Sequence, residues 1–234
     1  MLKSYVAFDV ETTGLDPEQN EIIEIGALKV RNGKVVERFM KFIRPTEEIS
    51  QTITDLTGIT NEMVVNAQSR EQVIPEFLDF FREDILIGHN VAFDYSFMKM
   101  GALAVGLDFV SQGIDTLKIA RKVHGDLESK SLERLCAYYQ IENKAAHRAY
   151  HDALATAKLY QTLAHYFEEK EPAVFQPMEL YYKQKKILPA SKRQVEFLTK
   201  LIRQKRLSLS FDPDSITKNE ASRLIDGILN GRIF

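Results

Sequence analysis

The first part of the chain alternates between apolar segments and turn-forming residues. Three segments rich in Val, Ile and Phe predict β-strands over residues 3–10, about 21–30 and 34–44. Gly14 lies between the first two, and the pair Asn32-Gly33 between the last two is typical of a tight β-hairpin turn. The pattern therefore predicts three strands that follow one another through hairpin connections.

After residue 70 the apolar positions recur at helical spacing instead. Val73, Phe77 and Phe81 belong to such a series, which predicts a helix over residues 71–82. A short apolar run at 85–88 predicts a buried strand. The remaining expected elements are a helix from an Asn90 cap to about 105, a strand near 112–115, and helices near 116–123, 131–139 and 149–167. This order predicts an α/β fold in which helices flank a mixed sheet.

The pattern changes again beyond residue 167. Residues 168–189 hold three prolines and no clear period, which predicts a linker after a domain of residues 1–167. Residues 190–234 then predict a small helical unit of two helices, each opened by a capping box. The boxes are Ser191-x-x-Gln194 and Thr217-x-x-Glu220.

Composition is that of an ordinary globular protein, with 44% hydrophobic and 27% charged residues. The single cysteine, Cys136, cannot form an internal disulfide, which fits a reducing compartment. The N-terminal residues lack the apolar core of a signal peptide, and no apolar run approaches the roughly 20 residues of a membrane span. We expect a cytoplasmic protein with no membrane contact.

The net charge of −2 conceals a strong asymmetry along the chain. Residues 183–206 contain nine Lys or Arg and one acid, whereas the first 182 residues carry a net charge of −9. One interpretation is that the basic segment binds a polyanionic substrate. The other is that it is simply the solvated face of an amphipathic helix.

Acidic residues at three places suggest a site. Asp9 and Glu11 alternate on a predicted strand and so share one face, either as solvated acids or as ligands of a divalent cation. Asp94 falls in the first turn of a predicted helix, where an acid also stabilises the helix dipole. His147 and Asp152 reach one site only if His147 precedes the helix that carries Asp152; otherwise His147 is a surface residue.

The order and spacing of these five residues resemble those of one known family. The sequence is similar to the DEDDh exonucleases of the ribonuclease-H-like fold, most of all to the proofreading exonuclease (epsilon) subunit of bacterial DNA polymerase III and its stand-alone relatives. The resemblance covers roughly residues 1–167, including Glu11-Thr12-Thr13-Gly14 and the stretch 56–60. Arg148 occupies the position at which a tyrosine would mark the other subclass.

The resemblance implies a metal-dependent 3′-5′ exonuclease that releases nucleoside monophosphates from single-stranded or frayed DNA. It implies two divalent ions, Mg²⁺ or Mn²⁺, for which oxygen ligands are suited. Asp9 would bridge both ions, Glu11 and Asp152 would complete the nucleophile-side ion, and Asp94 would hold the second. His147 would accept a proton from the attacking water, a role for which a histidine is suited at neutral pH.

Further residues are expected near the substrate. In the family, the loop that corresponds to Thr12, Thr13 and Gly14 meets the 3′-hydroxyl end, and the apolar residue at Leu15 wedges against the last bases. Three more candidates follow the second buried strand. They are His89, Asn90 and Phe93, of which Phe93 could stack on a base or belong to the core.

Two alternatives remain open for the function. RNA trimming by an exoribonuclease would use the same site, and the sequence does not reveal a contact to a 2′-hydroxyl. A non-catalytic nucleic-acid-binding or interaction module is the alternative from another class, although all the carboxylates are present. A DNA polymerase and a sliding clamp are candidate partners. Residues 206–211 loosely resemble a clamp-binding peptide, but a loop between the two helices is the better interpretation.

Overall fold

A six-stranded mixed sheet forms the centre of the first of two units, Met1–Tyr182 and Lys183–Phe234. The computed structural model describes residues 1–143, 146–184 and 188–231. The strands are β1 (Tyr5–Thr12), β2 (Ile22–Arg31), β3 (Lys34–Phe42), β4 (Leu86–Gly88), β5 (Gln112–Asp115) and β6 (Met178–Glu179). Their order in the sheet is β3-β2-β1-β4-β5-β6. The pairs of β1 with β4 and of β4 with β5 are parallel, and the others are antiparallel.

Helices follow the strands on both faces of this sheet. In chain order they are α1 (Gln51–Thr57), α2 (Asn61–Val64), α3 (Arg70–Phe81), α4 (Val91–Ala104), α5 (Thr116–Val123), α6 (Leu132–Tyr138) and α7 (Ala149–Phe167). A 3₁₀ helix at Pro172–Phe175 precedes β6. The predicted α/β fold with a mixed, helix-flanked sheet is confirmed. Helices α1 and α2 were not predicted, because they are short and only Thr57 and Val64 on them are buried.

The sheet separates two hydrophobic cores, and β1 contributes to both through its two-residue period. Val6, Phe8 and Val10 point into the core that α3 and α4 cover. Tyr5 and Ala7 point into the opposite core, which α7 covers together with α5 and α6. Because the side chains alternate, Asp9 and Glu11 continue the row of Tyr5 and Ala7 on the α7 side.

The segment expected to be a linker, residues 168–189, contains structure that belongs to the first unit. Phe175 of the 3₁₀ helix is buried in the core beneath α7, and Leu180 is buried in the core on the other face. Strand β6 extends the sheet by pairing with β5, and the first unit runs to Tyr182. Its boundary therefore lies about 15 residues beyond the predicted one, because these apolar side chains have no regular period in sequence.

The second unit is built around two helices, α8 (Lys192–Lys205) and α9 (Lys218–Leu229). Both expected capping boxes are present, with Ser191 and Thr217 as the N-caps. Its core is lined from both helices and from the loop that joins them. The buried members are Leu198, Leu201, Ile216, Ala221 and Ile228, and Leu207, Leu209 and Phe211 pack against them. The apolar residues of the stretch 206–211 thus serve the local core, as a loop between helices would.

None of the helices described in 1–143, 146–184 and 188–231 is both long enough and apolar enough to cross a bilayer.

Candidate active site

The site lies at the carboxyl end of β1. Asp9 and Glu11 leave this strand on the side of α7, and both are partly buried. The strand pairs through its full length with β2, which places Glu11 directly opposite Glu24. The sheet register thus brings three carboxylates to one face within two neighbouring strands.

Asp94 reaches the same end of the sheet from α4. Strand β4 is parallel to β1, so the helix that follows β4 begins near the end of β1. Asp94 lies in the first turn and is 3% exposed. Its Oδ1 accepts a hydrogen bond of 3.0 Å from the backbone amide of Val10, the residue between Asp9 and Glu11. This hydrogen bond holds Asp94 next to the strand segment that carries Asp9 and Glu11.

The third position is the beginning of α7. Asp152 is buried in the first turn of this helix, and His147 precedes the helix with an exposed side chain. Asp152 Oδ2 accepts the backbone N–H of His147 at 2.8 Å, and its Oδ1 accepts the Asn143 side-chain amide at 2.7 Å. His147 has a φ of 60°, a left-handed conformation that is uncommon outside glycine. Of the loop residues expected before it, Ala145 lies outside the described residues.

These elements bring potential ligand atoms together. One atom each from Glu11, His147 and Asp152 lies within 4.8 Å of the other two. Asp9 and Asp94 are not members of this group of three, although both adjoin it electrostatically.

The pKa values of the carboxyl groups reflect their burial and crowding. Burial first, and the charge of Asp94 next, raise the pKa of Asp9 well above its ordinary value. Burial raises the pKa of Glu11 to about 8, with Asp152 as the next cause, and also raises that of Asp94 to about 8. Burial raises the pKa of Asp152 as well. Clustered buried carboxylates of this kind favour a bound cation, so the donor set fits hard divalent metal ions.

An ion pair beneath the site was not predicted from the sequence. The carboxylate of buried Glu24 on β2 accepts bonds from Nε and Nη2 of Arg148 at 3.2 and 2.9 Å, and from the amide of Ala149 at 3.2 Å. The Arg148 guanidinium also lies over the ring of Phe42, 5.3 Å from its centroid. Arg148 is the N-cap residue of α7, so the pair fixes the helix end that presents His147 and Asp152.

Gly26, two residues further along β2, allows this end of α7 to approach closely. A Cβ atom on Gly26 would overlap the backbone of Ala149 and Tyr150. The helix therefore rests directly on the strand at this point. A lone acid and a glycine within the otherwise apolar stretch IIEIGAL at 22–28 are the signals that could have indicated this contact.

The loop after β1 holds the predicted substrate contacts Thr12, Thr13, Gly14 and Leu15. The Thr12 hydroxyl donates to the carbonyl of Gly14 at 2.6 Å, and Thr13 Oγ1 accepts the amide of Glu21 at 2.9 Å. Leu15 at the tip is 85% exposed. The loop is thus held by its own polar groups while it presents an apolar side chain to solvent.

The other three residues expected near the substrate, His89, Asn90 and Phe93, make mainly local contacts. Both ring nitrogens of His89 are engaged at 2.9 Å, with Thr116 Oγ1 and the carbonyl of Lys130, so its side chain serves a local network. Asn90 is the N-cap of α4 but makes no side-chain capping bond. Phe93 is partly buried and packs against Phe97 at a centroid distance of 5.0 Å, which favours the core interpretation over base stacking.

Comparison with known proteins identifies the family. A family model described as Exonuclease (RNase_T) matches residues 6–160, the part of the chain that holds all five expected active-site residues. The chain belongs to this exonuclease family. The predicted identity of the fold and of the enzyme class is thereby confirmed.

Similar proteins include exonuclease regions of much longer chains. "DNA polymerase III PolC-type" from Thermotoga maritima is 34% identical over 239 residues, covering 97% of this chain and 17% of that protein. The PolC-type protein of Caldanaerobacter subterraneus subsp. tengcongensis is 42% identical over 156 residues, which cover 67% of this chain and 11% of its own length. The chain thus spans less than a fifth of the length of these relatives.

Solved exonuclease structures share the fold. Exonuclease X, determined in complex with 5′ overhanging duplex DNA, has 25% identity and a TM-score of 0.58, and the match covers 73% of this chain and 99% of that one. Exonuclease I has 19% identity and a TM-score of 0.66, covering 74% of this chain and 42% of that one.

Proposed function

We propose that this exonuclease is metal-dependent and removes nucleoside monophosphates from the 3′ ends of single-stranded or frayed DNA. The observation that carries the proposal is the convergence of Glu11, His147 and Asp152, whose potential ligand atoms lie within 4.8 Å of one another. Residues that are far apart in sequence meet beside Asp9 and Asp94 at one end of the sheet. Such a donor set is suited to hydrolysis of a phosphodiester.

The carboxylates of Asp9, Glu11, Asp94 and Asp152 would hold two ions, Mg²⁺ or Mn²⁺. When bound, such ions stabilise the negative charge that develops on the attacking and leaving oxygens. Without them, the same carboxylates would repel a phosphate, since the first 182 residues already carry a net charge of −9. By the family resemblance, Asp9 would serve as a ligand for both ions, Glu11 and Asp152 for the ion on the side of the attacking water, and Asp94 for the other.

His147 would accept the proton of the attacking water. Its side chain is exposed, so it is accessible to water and substrate, while its backbone is fixed by the bond to Asp152. A base must be held near the proton that it removes. The left-handed backbone of His147 provides a fixed turn at that place.

The loop of Thr12, Thr13, Gly14 and Leu15 would hold the terminal nucleotide. Its polar groups are used within the loop, and its exposed Leu15 would wedge against the last bases. An exposed leucine on a fixed loop loses water contact when a base covers it, which favours frayed ends over paired ones.

DNA is the preferred substrate in this proposal. Support comes from the PolC-type relatives and from Exonuclease X, which was determined with DNA. A DNA polymerase is the matching partner, with a sliding clamp as a second candidate. The expected cytoplasmic location stays a prediction. The main alternative, trimming of RNA 3′ ends, would use the same carboxylates.

A product assay tests the proposal. Oligonucleotides of DNA and RNA, labelled at the 5′ or the 3′ end, are incubated with Mg²⁺, Mn²⁺ or EDTA. We expect 5′-labelled DNA to shorten stepwise and 3′-labelled DNA to release a labelled mononucleotide at once, and EDTA to stop both. Faster shortening of RNA would favour the alternative, and absence of any metal-dependent product would contradict an exonuclease.

A further inference from the structure

Helix α8 of the second unit carries five basic residues, and four of them, Lys192, Arg193, Lys200 and Arg203, lie on one side. Its core side is formed by Val195, Leu198, Leu201 and Ile202, which are buried or partly buried. The opposite side is exposed along the whole helix. It consists of Lys192, Arg193, Glu196, Phe197, Lys200, Arg203 and Gln204, and is called here the α8 basic face.

The cations of this face form no ion pairs within the part of the chain that the structure describes. Among the residues that the structure describes, no carboxylate lies within ion-pair distance of Lys192, Arg193, Lys200 or Arg203. The only acid on the face, Glu196, also makes no such pair. The basic segment identified in the sequence further includes Lys185 and Lys186, which lie outside the described residues. The positive charge of α8 is therefore available to a ligand.

An aromatic ring lies among these cations. Phe197 is 44% exposed, whereas the next residue, Leu198, is fully buried in the core of the second unit. On a helix, Arg193 four residues before Phe197 and Lys200 three residues after it lie on the same side as the ring. Aromatic rings flanked by cations form sites for single-stranded nucleic acids, because bases stack on the ring while phosphates contact the cations.

We propose that the α8 basic face is a second binding site, which holds single-stranded nucleic acid through residues other than the catalytic carboxylates. The proposal rests on the proposed function for the class of its substrate. Over the 14 residues of α8 the face extends about 20 Å, long enough to follow several nucleotides of one strand. Because one chain carries both sites, a strand bound here raises the local concentration of its own 3′ end at the active site.

The chemistry distinguishes this ligand from duplex DNA and from an acidic protein. Duplex bases are stacked on each other and cannot cover Phe197, so only the cations would bind a duplex. An acidic peptide would contact the cations but would gain nothing from base stacking. A single strand is the ligand that uses the ring and the cations together.

The test measures binding by the full chain in EDTA, so that no cleavage is needed. Fluorescence anisotropy with a labelled single-stranded oligonucleotide, a duplex and a labelled polyglutamate peptide gives affinity against salt concentration. For the single strand we expect Phe197→Ala to weaken binding about five- to one-hundredfold with an unchanged salt slope. Arg193→Gln with Lys200→Gln should reduce the slope of log K against log salt by about 1.4.

Matched controls lie in the same unit. Leu229→Ala removes another apolar side chain, which is 56% exposed, and Lys218→Gln with Arg223→Gln removes two exposed cations of α9. These variants should bind the single strand within about twofold of the natural chain. With Mg²⁺, the α8 variants should raise KM for long oligonucleotides and leave kcat unchanged.

Equal effects of the α8 variants and their controls would overturn the proposal. So would loss of polyglutamate binding in parallel with loss of single-strand binding after Phe197→Ala, since that would indicate a protein partner. The proposed activity would survive either result. Conversely, tight binding without any degradation in Mg²⁺ would contradict the exonuclease function and leave the binding site in place.

Discussion

Glu24 on β2 binds the guanidinium of Arg148 through Oε1 and Nη2 at 2.9 Å, although 124 residues separate them along the chain. The Glu24 side chain is only 4% exposed, whereas that of Arg148 is about one-third exposed. Glu24 faces Glu11 across the two strands, and like charges in that position repel. Arg148 therefore does two things: it offsets a buried charge next to the active site, and it holds the end of α7.

Replacement of Arg148 by Ala should destabilise the protein by about 2–4 kcal/mol, because it leaves the Glu24 carboxylate buried without its cation. Urea unfolding measures the change in the free energy of unfolding. Glu24→Gln in the Arg148→Ala background should recover part of the loss, since a neutral amide needs no counter-ion. If Arg148→Ala unfolds at the same urea concentration as the natural chain, the pair contributes no stability.

Gly26→Ala should separate β2 from the start of α7. The added Cβ would overlap the backbone of Ala149 and Tyr150, so the helix end must move or the fold must weaken by on the order of 3 kcal/mol. Because Asp152 lies in the same helical turn, we expect activity to fall even where the variant stays folded. Gly125→Ala is the control, because its Cβ would meet nothing within 4 Å and should change stability by less than about 0.5 kcal/mol. Similar thermal unfolding and activity of the two variants would contradict the close approach.

Local pattern predicted most of this fold, since apolar side chains on one face of a strand or helix leave a period in the sequence. The predicted helix over 71–82 is observed as Arg70–Phe81, and the helix at Ala149–Phe167 has the predicted bounds. Helices α1 and α2 and strand β6 left no such period, because they are short and mostly exposed.

The acids proposed for the active site could be predicted because the proposed chemistry requires particular residue types at local spacings. The pairing of Glu24 with Arg148 could not, because a contact between distant residues depends on how β2 and α7 pack. For His89, a local sequence signal suggested a role that depends on packing as well. Its position after a buried strand suggested a substrate contact, yet both ring nitrogens are occupied by neighbouring groups.

Asp9→Asn and Asp152→Asn should each abolish turnover while the protein stays folded. Loss of one carboxylate removes several kcal/mol of charge stabilisation, which corresponds to a thousandfold or greater loss in rate. Rates are measured on single-stranded oligonucleotides in Mg²⁺, and circular dichroism checks the fold. Asp79→Asn, in helix α3 outside the site, is the matched control and should retain full activity. A purified Asp9→Asn protein with near-normal turnover would exclude the proposed mechanism.

His147→Ala should lower kcat by about two to four orders of magnitude and change KM little, because a general base acts on the reacting water. Single-turnover rates with saturating Mg²⁺ measure the change, because the chemical step then limits the rate. His165→Ala on α7 provides a control histidine. A His147→Ala variant that keeps the natural rate would assign the proton transfer to another group.

The free energy of unfolding of the metal-free protein should fall as pH rises from about 4 to about 8. Burial raises the pKa of Glu11 and of Asp94 to about 8, whereas both groups titrate near pH 4 in an unfolded chain. Between these values the folded state binds more protons than the unfolded state, so the slope of stability against pH is negative. The contribution of these groups is complete below about pH 4 and lost above about pH 8. Thermal unfolding in EDTA across this range measures it.

Glu11→Gln together with Asp94→Asn isolates that effect, since the rest of the chain titrates equally in both proteins. The double variant should show a flatter dependence and should exceed the natural chain in stability at pH 8.5, where the natural carboxylates are ionised and repel each other. A divalent cation acts on the same charges, so Mg²⁺ should raise the melting temperature of the natural chain more at pH 8.5 than at pH 5.5. Mg²⁺ should leave the double variant nearly unchanged. The prediction is wrong if thermal stability in EDTA depends on pH in the same way for both proteins. Glu11 and Asp94 would then already be ionised near pH 5, and their mutual repulsion would not destabilise the metal-free protein.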